Sequence, residues 1–197
     1  MKKIFEKLEN IFLAFMAYSF LGWVYEVSLE IFFYSKHFVN RGMFFGSYVP
    51  IYGYGALIFI ALLTRMKNKK PFGKVLTPVV VTVLTGVIAT VVELGVSYIL
   101  DATIKPGGFQ NFWGYDEWGN FERRIAPIAS FRFMIGGGIV MYVIQPFLSR
   151  IGKRMSFTVK TVLSVILAII FFTDVITTLF RLPFNLESLW NSVTAMF

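Results

Sequence analysis

The sequence has no cysteine, only one histidine, and a charged fraction of 15%. The absence of cysteine excludes disulfides, thiolate zinc sites and cysteine nucleophiles. With His37 as the single imidazole, the common histidine-rich metal sites are excluded as well, and we expect no metal and no cofactor. A soluble domain of 197 residues rarely carries so little charge, and a hydrophobic fraction of 56% predicts a chain surrounded by lipid.

Long apolar runs are abundant. Each of five stretches is close to the roughly 20 residues that a membrane-spanning helix needs. They cover about 11–33, 48–64, 75–100, 127–148 and 158–180. The longest connection, 101–126, is too short to hold a core of its own. The predicted fold is therefore all-α: a polytopic bundle of five transmembrane helices that forms a single membrane domain over 1–197.

The net charge of +8 is explained by membrane topology. Basic residues concentrate in the N-terminal tail and in the second and fourth connections. They are Lys2, Lys3, Lys7, Arg65, Lys67, Lys69, Lys70, Lys74, Arg150, Lys153, Arg154 and Lys160. The positive-inside rule then predicts a multi-pass protein of the cell membrane, with its N-terminus in the cytoplasm and its C-terminus outside. A nucleic-acid partner is not required.

Ionisable residues inside the predicted spans are the most informative feature. They are Glu26, Glu30, Glu93, Arg132 and Asp174. A charge at mid-membrane costs about 2.5–3.5 kcal/mol even on the insertion scale, so such residues rarely face lipid. The predicted topology places all five in the outer half of the membrane, which predicts a pocket open to the outside. Pairing with Arg132 to fasten two helices is the structural alternative, but four acids and one base leave an excess of negative charge.

The stretch FVNRGMFFGSYVPIYGYGAL, residues 38–57, follows the first span. Its four glycines and Pro50 favour irregular backbone, which is tolerated at membrane depth only where protein or a wet cavity receives it. We therefore predict a re-entrant or broken-helix segment at the mouth of the pocket, lined by Tyr48, Tyr52 and Tyr54. An interfacial aromatic belt is the alternative. The outer stretch NFWGYDEWGNFERRIAP, 111–127, is interpreted either as a lid or as an aromatic loop at the headgroups.

These patterns give one set of candidate ligand-binding residues and no catalytic or metal-binding residue. The set is Trp23, Glu26, Glu30, Asn40, Arg41, Tyr52, Tyr54, Glu93, Arg124, Arg132 and Asp174. The excess carboxylates favour a proton or a cationic solute, and an ammonium group caged by Trp23, Tyr52 and Tyr54 would gain cation–π contacts.

Three motifs carry a resemblance to a known family: FLGWVYE at 20–26, FVNRGMFFG from Phe38, and PIYGYGAL from Pro50. Together they resemble the CmpB-like family of prokaryotic membrane proteins, described as type IV ABC-transporter permeases. The resemblance covers about the first sixty residues well and the remainder loosely. Ser47 stands where the family usually has proline, and Arg132 stands where an apolar residue is expected. The resemblance implies a transport permease.

The predicted function is that of a small-solute transporter or permease subunit with an outward-facing, carboxylate-lined intramembrane site. No P-loop occurs in the chain, so an ATPase would be a separate subunit. Hydrolase motifs are also absent, which argues against an enzyme. Two alternatives stay open: an intramembrane enzyme acting on a lipid or lipid-linked substrate with Glu26 or Glu93 as base, and a non-catalytic membrane partner protein. Expected partners are membrane lipids, a separate ATPase or other membrane subunit, and a second copy of the chain.

Overall fold

The structure, a computed structural model, describes residues 2–34, 38, 40, 42, 46–103, 107–111 and 113–180. Six α-helices follow one another: α1 (Lys2–Leu29), α2 (Pro50–Lys69), α3 (Gly73–Thr103), α4 (Pro127–Ile139), α5 (Gln145–Arg154) and α6 (Phe157–Phe180). A π-helical turn continues α1 over Glu30–Tyr34, another joins α4 to α5 over Val140–Ile144, and a 3-10 turn covers Gly108–Asn111.

Four segments are long and apolar enough to cross a membrane: Ile4–Phe33, Gly73–Thr103, Pro127–Arg154 and Phe157–Thr178. Helix α2 is a fifth helix. It begins at a proline, which suits the first helical position because no N–H is needed there. Its last turn carries Lys67 and Lys69, so its apolar part is short. No named strand occurs in the described ranges, where Phe121 and Ile125 form an isolated bridge. The predicted all-α membrane bundle is confirmed.

Helix α1 begins at Lys2 rather than near residue 11, so two acidic residues fall inside the first apolar helix. The physical reason is tertiary. Glu6 forms an ion pair with Lys160, and Glu9 is buried. Hydropathy alone predicts that the first span begins after these charged residues.

The chain divides into two compact units, and the boundary falls inside α2. The first unit comprises residues 1–53 and 154–197, and the second comprises 54–153. The prediction of a single membrane domain stays a prediction.

In the first unit, α1 packs along α6 in parallel. Glu6 meets Lys160 near the start of both helices, and the Phe15 and Phe171 rings meet further along, with centroids 5.6 Å apart. The beginning of α2 also lies against α1. A Cβ built on Gly53 would come within 2.7 Å of the Phe15 ring, so only a glycine fits there without movement.

In the second unit, α3 and α4 approach closely through small residues. Gly137 lies against Thr85, and Gly138 lies against Thr82. The hydroxyl of Thr90 donates to Ser130 Oγ at 2.8 Å across the same interface. Small residues at these positions let the two backbones approach, and van der Waals packing drives helix association in lipid.

The π turn between α4 and α5 has a local cause. Pro146 has no N–H to bond to the carbonyl one turn earlier, and its ring would clash with that carbonyl in a regular helix. A wider turn at Val140–Ile144 relieves this conflict. Within this turn, the Met141 carbonyl accepts a hydrogen bond from Lys67 Nζ at 2.5 Å, which joins α2 to the π turn.

Candidate functional site

Asp174 is the most deeply buried carboxylate among the described residues of the first unit. It lies on α6 with 0% exposed surface. The Gly46 N–H donates to its Oδ2 at 2.8 Å, and the Tyr48 hydroxyl donates to the same oxygen. The Thr178 hydroxyl contacts Oδ1 at 3.4 Å. Two of these donors, one backbone N–H and one side-chain hydroxyl, come from the non-helical residues before α2, so this part of the glycine- and tyrosine-rich segment contacts the carboxylate directly.

The non-helical residues 46–49 contact α1 part-way along its length. The Val49 N–H donates to the Ser19 carbonyl at 2.9 Å, and the Tyr48 N–H donates to the Gly46 carbonyl at 2.8 Å. Ser19 lies ten residues before the end of α1 at Leu29, which corresponds to about 15 Å along a helix that rises 1.5 Å per residue. The described residues 46–49 therefore have the irregular backbone predicted from their sequence, while α2 itself continues unbroken from Pro50.

Glu26 lies four residues, about one helical turn, beyond Gly22 on α1 and is half-buried. It accepts a hydrogen bond from the Tyr52 hydroxyl at the start of α2. The Tyr52 ring lies directly over Gly22 and meets the Tyr25 ring edge-on, with centroids 6.0 Å apart. The missing side chain at Gly22 is what allows the tyrosine to reach the carboxylate.

Trp23 is held on the neighbouring face of α1. Its indole N–H donates to Asn40 Oδ1 at 2.7 Å, and the Gly42 N–H donates to the same oxygen at 3.0 Å. The indole also stacks with Phe20, with centroids 5.9 Å apart, and meets Phe38 at 6.4 Å. In the first unit, an aromatic surface and two carboxylates, Glu26 and Asp174, therefore lie near the N-terminal end of α2.

In the second unit, Arg124 is the centre of a polar cluster. Its guanidinium pairs with Asp101 at 2.5 Å and with Glu122 at 3.0 Å, and it donates to Ser97 Oγ at 3.2 Å. It also lies over the rings of Tyr98 and Phe109, 4.3 and 4.4 Å from their centroids. The hydrogen bond to Asp101 raises the pKa of Arg124, so the guanidinium is charged at every physiological pH.

Glu93 lies on α3 with 5% exposed surface and accepts a hydrogen bond from the Tyr115 hydroxyl at 2.7 Å. The loop that carries Tyr115 is fixed from several sides. Tyr115 N–H donates to the Arg123 carbonyl at 3.0 Å, and the Trp113 indole donates to the Arg124 carbonyl at 3.0 Å. The described part of the loop therefore lies against α3, and its Tyr115 binds the Glu93 carboxylate.

A protein-family model matches residues 13–179, and its description is "Putative ABC-transporter type IV". The chain belongs to this family. Neither the curated proteins nor the solved structures contain a match to the chain. The family match reaches from α1 to α6, far beyond the first sixty residues, and confirms the resemblance predicted from the three motifs. With its apolar helices, the type IV family member is a multi-pass, transport-related membrane protein that works with other subunits.

The predicted ligand-binding residues of this type IV family member are distributed over both units. The first unit contains Trp23, Glu26, Asn40, Tyr52 and Asp174; Trp23 bonds to Asn40, Tyr52 bonds to Glu26, and Asp174 bonds to Gly46. The second contains Glu93, Arg124, Arg132 and Tyr54.

Within the second unit, Arg132 is half-buried on α4 and Tyr54 is 55% exposed. Glu30 begins the π turn after α1, and Arg41 lies outside the described residues. Whether these side chains bind a ligand stays a prediction.

Several polar residues outside the predicted set are identified only by the structure. Asp101 and Ser97 bind Arg124, and Glu9 is buried near the start of α1. Asp101 carries a weak sequence signal, because it directly follows a long apolar run. Within the described residues, no group of three or more histidine, aspartate or glutamate side chains is arranged to hold a metal ion.

Proposed function

We propose that the protein is the membrane subunit of a small-solute transporter and that it binds a cationic solute, with or without a proton, around Asp174 and Glu26. In this proposal the protein lies in the cell membrane with its N-terminus in the cytoplasm, and the site opens to the outside. The energy source is a separate ATPase subunit, consistent with the family description.

The observation that carries the proposal is the environment of Asp174. A carboxylate buried within an apolar helix meets a neighbouring segment whose backbone is irregular and turns an N–H toward it. Interrupted backbone beside an ionisable group within the membrane is the usual construction of substrate and ion sites in transporters. A carboxylate that only held two helices together would not need an irregular backbone segment beside it.

The surroundings of Glu26 support a cationic solute. Its carboxylate lies beside Tyr52, and the Tyr25 ring meets that of Tyr52. Trp23 lies three residues earlier on the same helix. A quaternary or primary ammonium gains about 0.5–2 kcal/mol from each aromatic face that it contacts, and more where water is excluded. The carboxylate supplies the opposite charge.

We expect a cationic amine to raise the melting temperature of the purified protein in a concentration-dependent manner. A ligand that binds only the folded state adds about 2.7 kcal/mol of stability at one hundred times its dissociation constant. The experiment measures melting temperature across a panel of amines, alkali cations and pH values for the wild type, Glu26→Gln and Asp174→Asn. Both variants are expected to lose the shift.

Glu117→Gln is the matched control, because Glu117 is an exposed carboxylate of the outer loop. It should respond to ligands as the wild type does. If no amine or cation shifts the melting temperature and the pH profile is unchanged in the variants, the carboxylates are helix fasteners. Unfolding of Glu26→Gln would support the same structural alternative.

The orientation has its own test. Helix α3 separates Lys69 from Gly108, and its 31 residues are enough to cross the membrane. Single cysteines at Lys69 and Gly108 should react with an impermeant thiol reagent from opposite sides, with Gly108 labelled in intact cells and Lys69 only after permeabilisation. The native chain offers no cysteine background. Labelling of both positions in intact cells would contradict the proposed topology.

A further inference from the structure

One end of the second unit carries a concentration of positive charge, which we call the basic end. It consists of six exposed side chains on α2, α3, α5 and the turn between α2 and α3: Arg65, Lys69, Lys70, Lys74, Arg150 and Lys153. The sequence has no aspartate or glutamate between Glu30 and Glu93. It also has none between Glu122 and Asp174. Within the described residues, none of the six side chains forms an ion pair.

The register of α3 against α4 brings α5 to this end. Thr90 meets Ser130, and Thr82 lies against Gly138, so the two helices run antiparallel. Each step toward the start of α3 therefore matches an equal step toward the end of α4. Continued along both helices, this register places Lys74 about level with the start of α5.

Lys67 joins the end of α2 to the same place. Its Nζ donates to the Met141 carbonyl at 2.5 Å and lies 5.2 Å from the centroid of the Tyr142 ring. Both partners belong to the π turn that precedes α5. The Lys67 ammonium is thus directed at groups of the protein, whereas the residues of the basic end are exposed and accessible to a partner outside the chain.

Helix α5 begins where the hydrocarbon core of a membrane would end. The 13 residues of α4 and the five of the π turn rise about 27 Å at 1.5 Å per residue. Because the hydrocarbon core is about 30 Å thick, a helix that follows them lies at the level of the lipid headgroups. None of the residues of α5 is buried.

The side chains of α5 are sorted onto two sides. Their spacing of three and four residues places Phe147, Leu148 and Ile151 on one side of the helix. Arg150 and Lys153 lie on another side. Of the described α-helices, α5 is the most strongly amphipathic. An apolar side combined with a basic one is typical of helices that lie in the interface of an anionic bilayer.

Exposed apolar side chains also accompany the lysines that follow α2. Phe72, between Lys70 and Lys74, is 51% exposed, and Val75 is 83% exposed. A soluble anion would neutralise the charges but would leave these apolar side chains in water. A lipid with an anionic headgroup satisfies both, because phosphate oxygens accept hydrogen bonds from the cations and acyl chains cover the apolar groups.

We propose that the basic end binds anionic phospholipids. Their phosphate groups accept hydrogen bonds from its lysine and arginine side chains, and their acyl chains cover Phe72, Phe147 and Ile151. The topology proposed above places this end at the cytoplasmic leaflet. The basic end shares no residue with the proposed solute site around Asp174 and Glu26, so the inference stands independently of that site.

The test measures lipid binding to the purified full-length protein by native mass spectrometry, with dioleoylphosphatidylglycerol and dioleoylphosphatidylcholine as probes. A headgroup that is contacted by several cations should bind about 25–100-fold more tightly than a zwitterionic one, since each cation contributes about fivefold. Arg150→Gln should weaken phosphatidylglycerol binding about fivefold. The combined variant Lys69→Gln, Lys70→Gln and Lys74→Gln should lose most of the preference. Neither variant should change phosphatidylcholine binding.

Arg123→Gln is the matched control. It makes the same chemical change as Arg150→Gln at an exposed residue of the outer loop, where Arg123 already pairs with Asp116 at 2.9 Å. We expect it to leave the lipid preference unaltered. Phe147→Ser tests the apolar contribution separately, because it removes contact with acyl chains and should weaken the binding of both lipids by the same factor.

Equal affinity of the wild type for the two lipids would overturn the proposal. A preference that persists in both Arg150→Gln and the combined lysine variant would place the lipid elsewhere on the protein, and would overturn it as well. Glycerol 3-phosphate carries a phosphate group without acyl chains and should not displace phosphatidylglycerol at equal concentration. Displacement would mean that the basic end binds a soluble anion, which contradicts the lipid assignment.

Discussion

Gly137→Ala is expected to force α4 away from α3 and to destabilise the protein. A Cβ at this position would overlap Thr85 Oγ1 and would lie 2.5 Å from Thr85 Cβ. The threonine Cβ is fixed to the α3 backbone, so a rotamer change cannot remove the conflict. Overpacking of a closely packed interface costs about 1–3 kcal/mol, and we expect at least this loss in the free energy of unfolding. Thermal melting of the purified protein measures it.

The neighbouring glycine supplies a matched control. Gly136 is on the same helix, and a Cβ built there meets no atom within 4 Å. Gly136→Ala makes the same chemical change on an open face and should leave the melting temperature unchanged or slightly higher, since alanine favours helix more than glycine does. Equal losses in both variants would show that glycine is needed for another reason than close approach of the two helices.

The second large effect is expected at Gly22. A Cβ there would overlap the Tyr52 ring at Cγ and lie 2.5 Å from Tyr52 Cβ, so the start of α2 would have to move. Gly22→Ala should therefore lower stability by about 1–3 kcal/mol and also separate the Tyr52 hydroxyl from Glu26. Melting temperature measures the first effect, and loss of the amine-dependent shift measures the second.

Gly55→Ala is the comparison on α2, because a Cβ at Gly55 meets nothing within 4 Å. We expect it to keep both the stability and the response to amines. Tyr52→Phe separates packing from hydrogen bonding, since it keeps the ring over Gly22 and removes only the hydroxyl. If Gly22→Ala keeps its melting temperature, the close contact between α1 and α2 does not contribute to stability as proposed.

The class of this protein and its family can both be predicted from the amino-acid sequence. Apolar runs of spanning length predict helices in lipid because a spanning segment must satisfy its backbone hydrogen bonds internally. The family is indicated by two motifs: one contains Gly22, Trp23 and Glu26, and the other runs from Asn40 to Pro50 and beyond. The family match over residues 13–179 confirms this prediction. Irregular backbone before α2 was also predictable, since glycine and proline act locally.

The pairing of polar groups, in contrast, depends on how the helices pack. Asp174 accepts hydrogen bonds from Gly46 and Tyr48, more than 120 residues away in sequence, and no local pattern encodes that pairing. Glu9 is the clearest case. It stands in a charged N-terminal segment that resembles a solvated helix end, yet it is buried, with 6% exposed surface. Burial of a single charged side chain depends on what the neighbouring helix places opposite it. That depends on helix register, which the hydrophobic pattern of one helix does not specify.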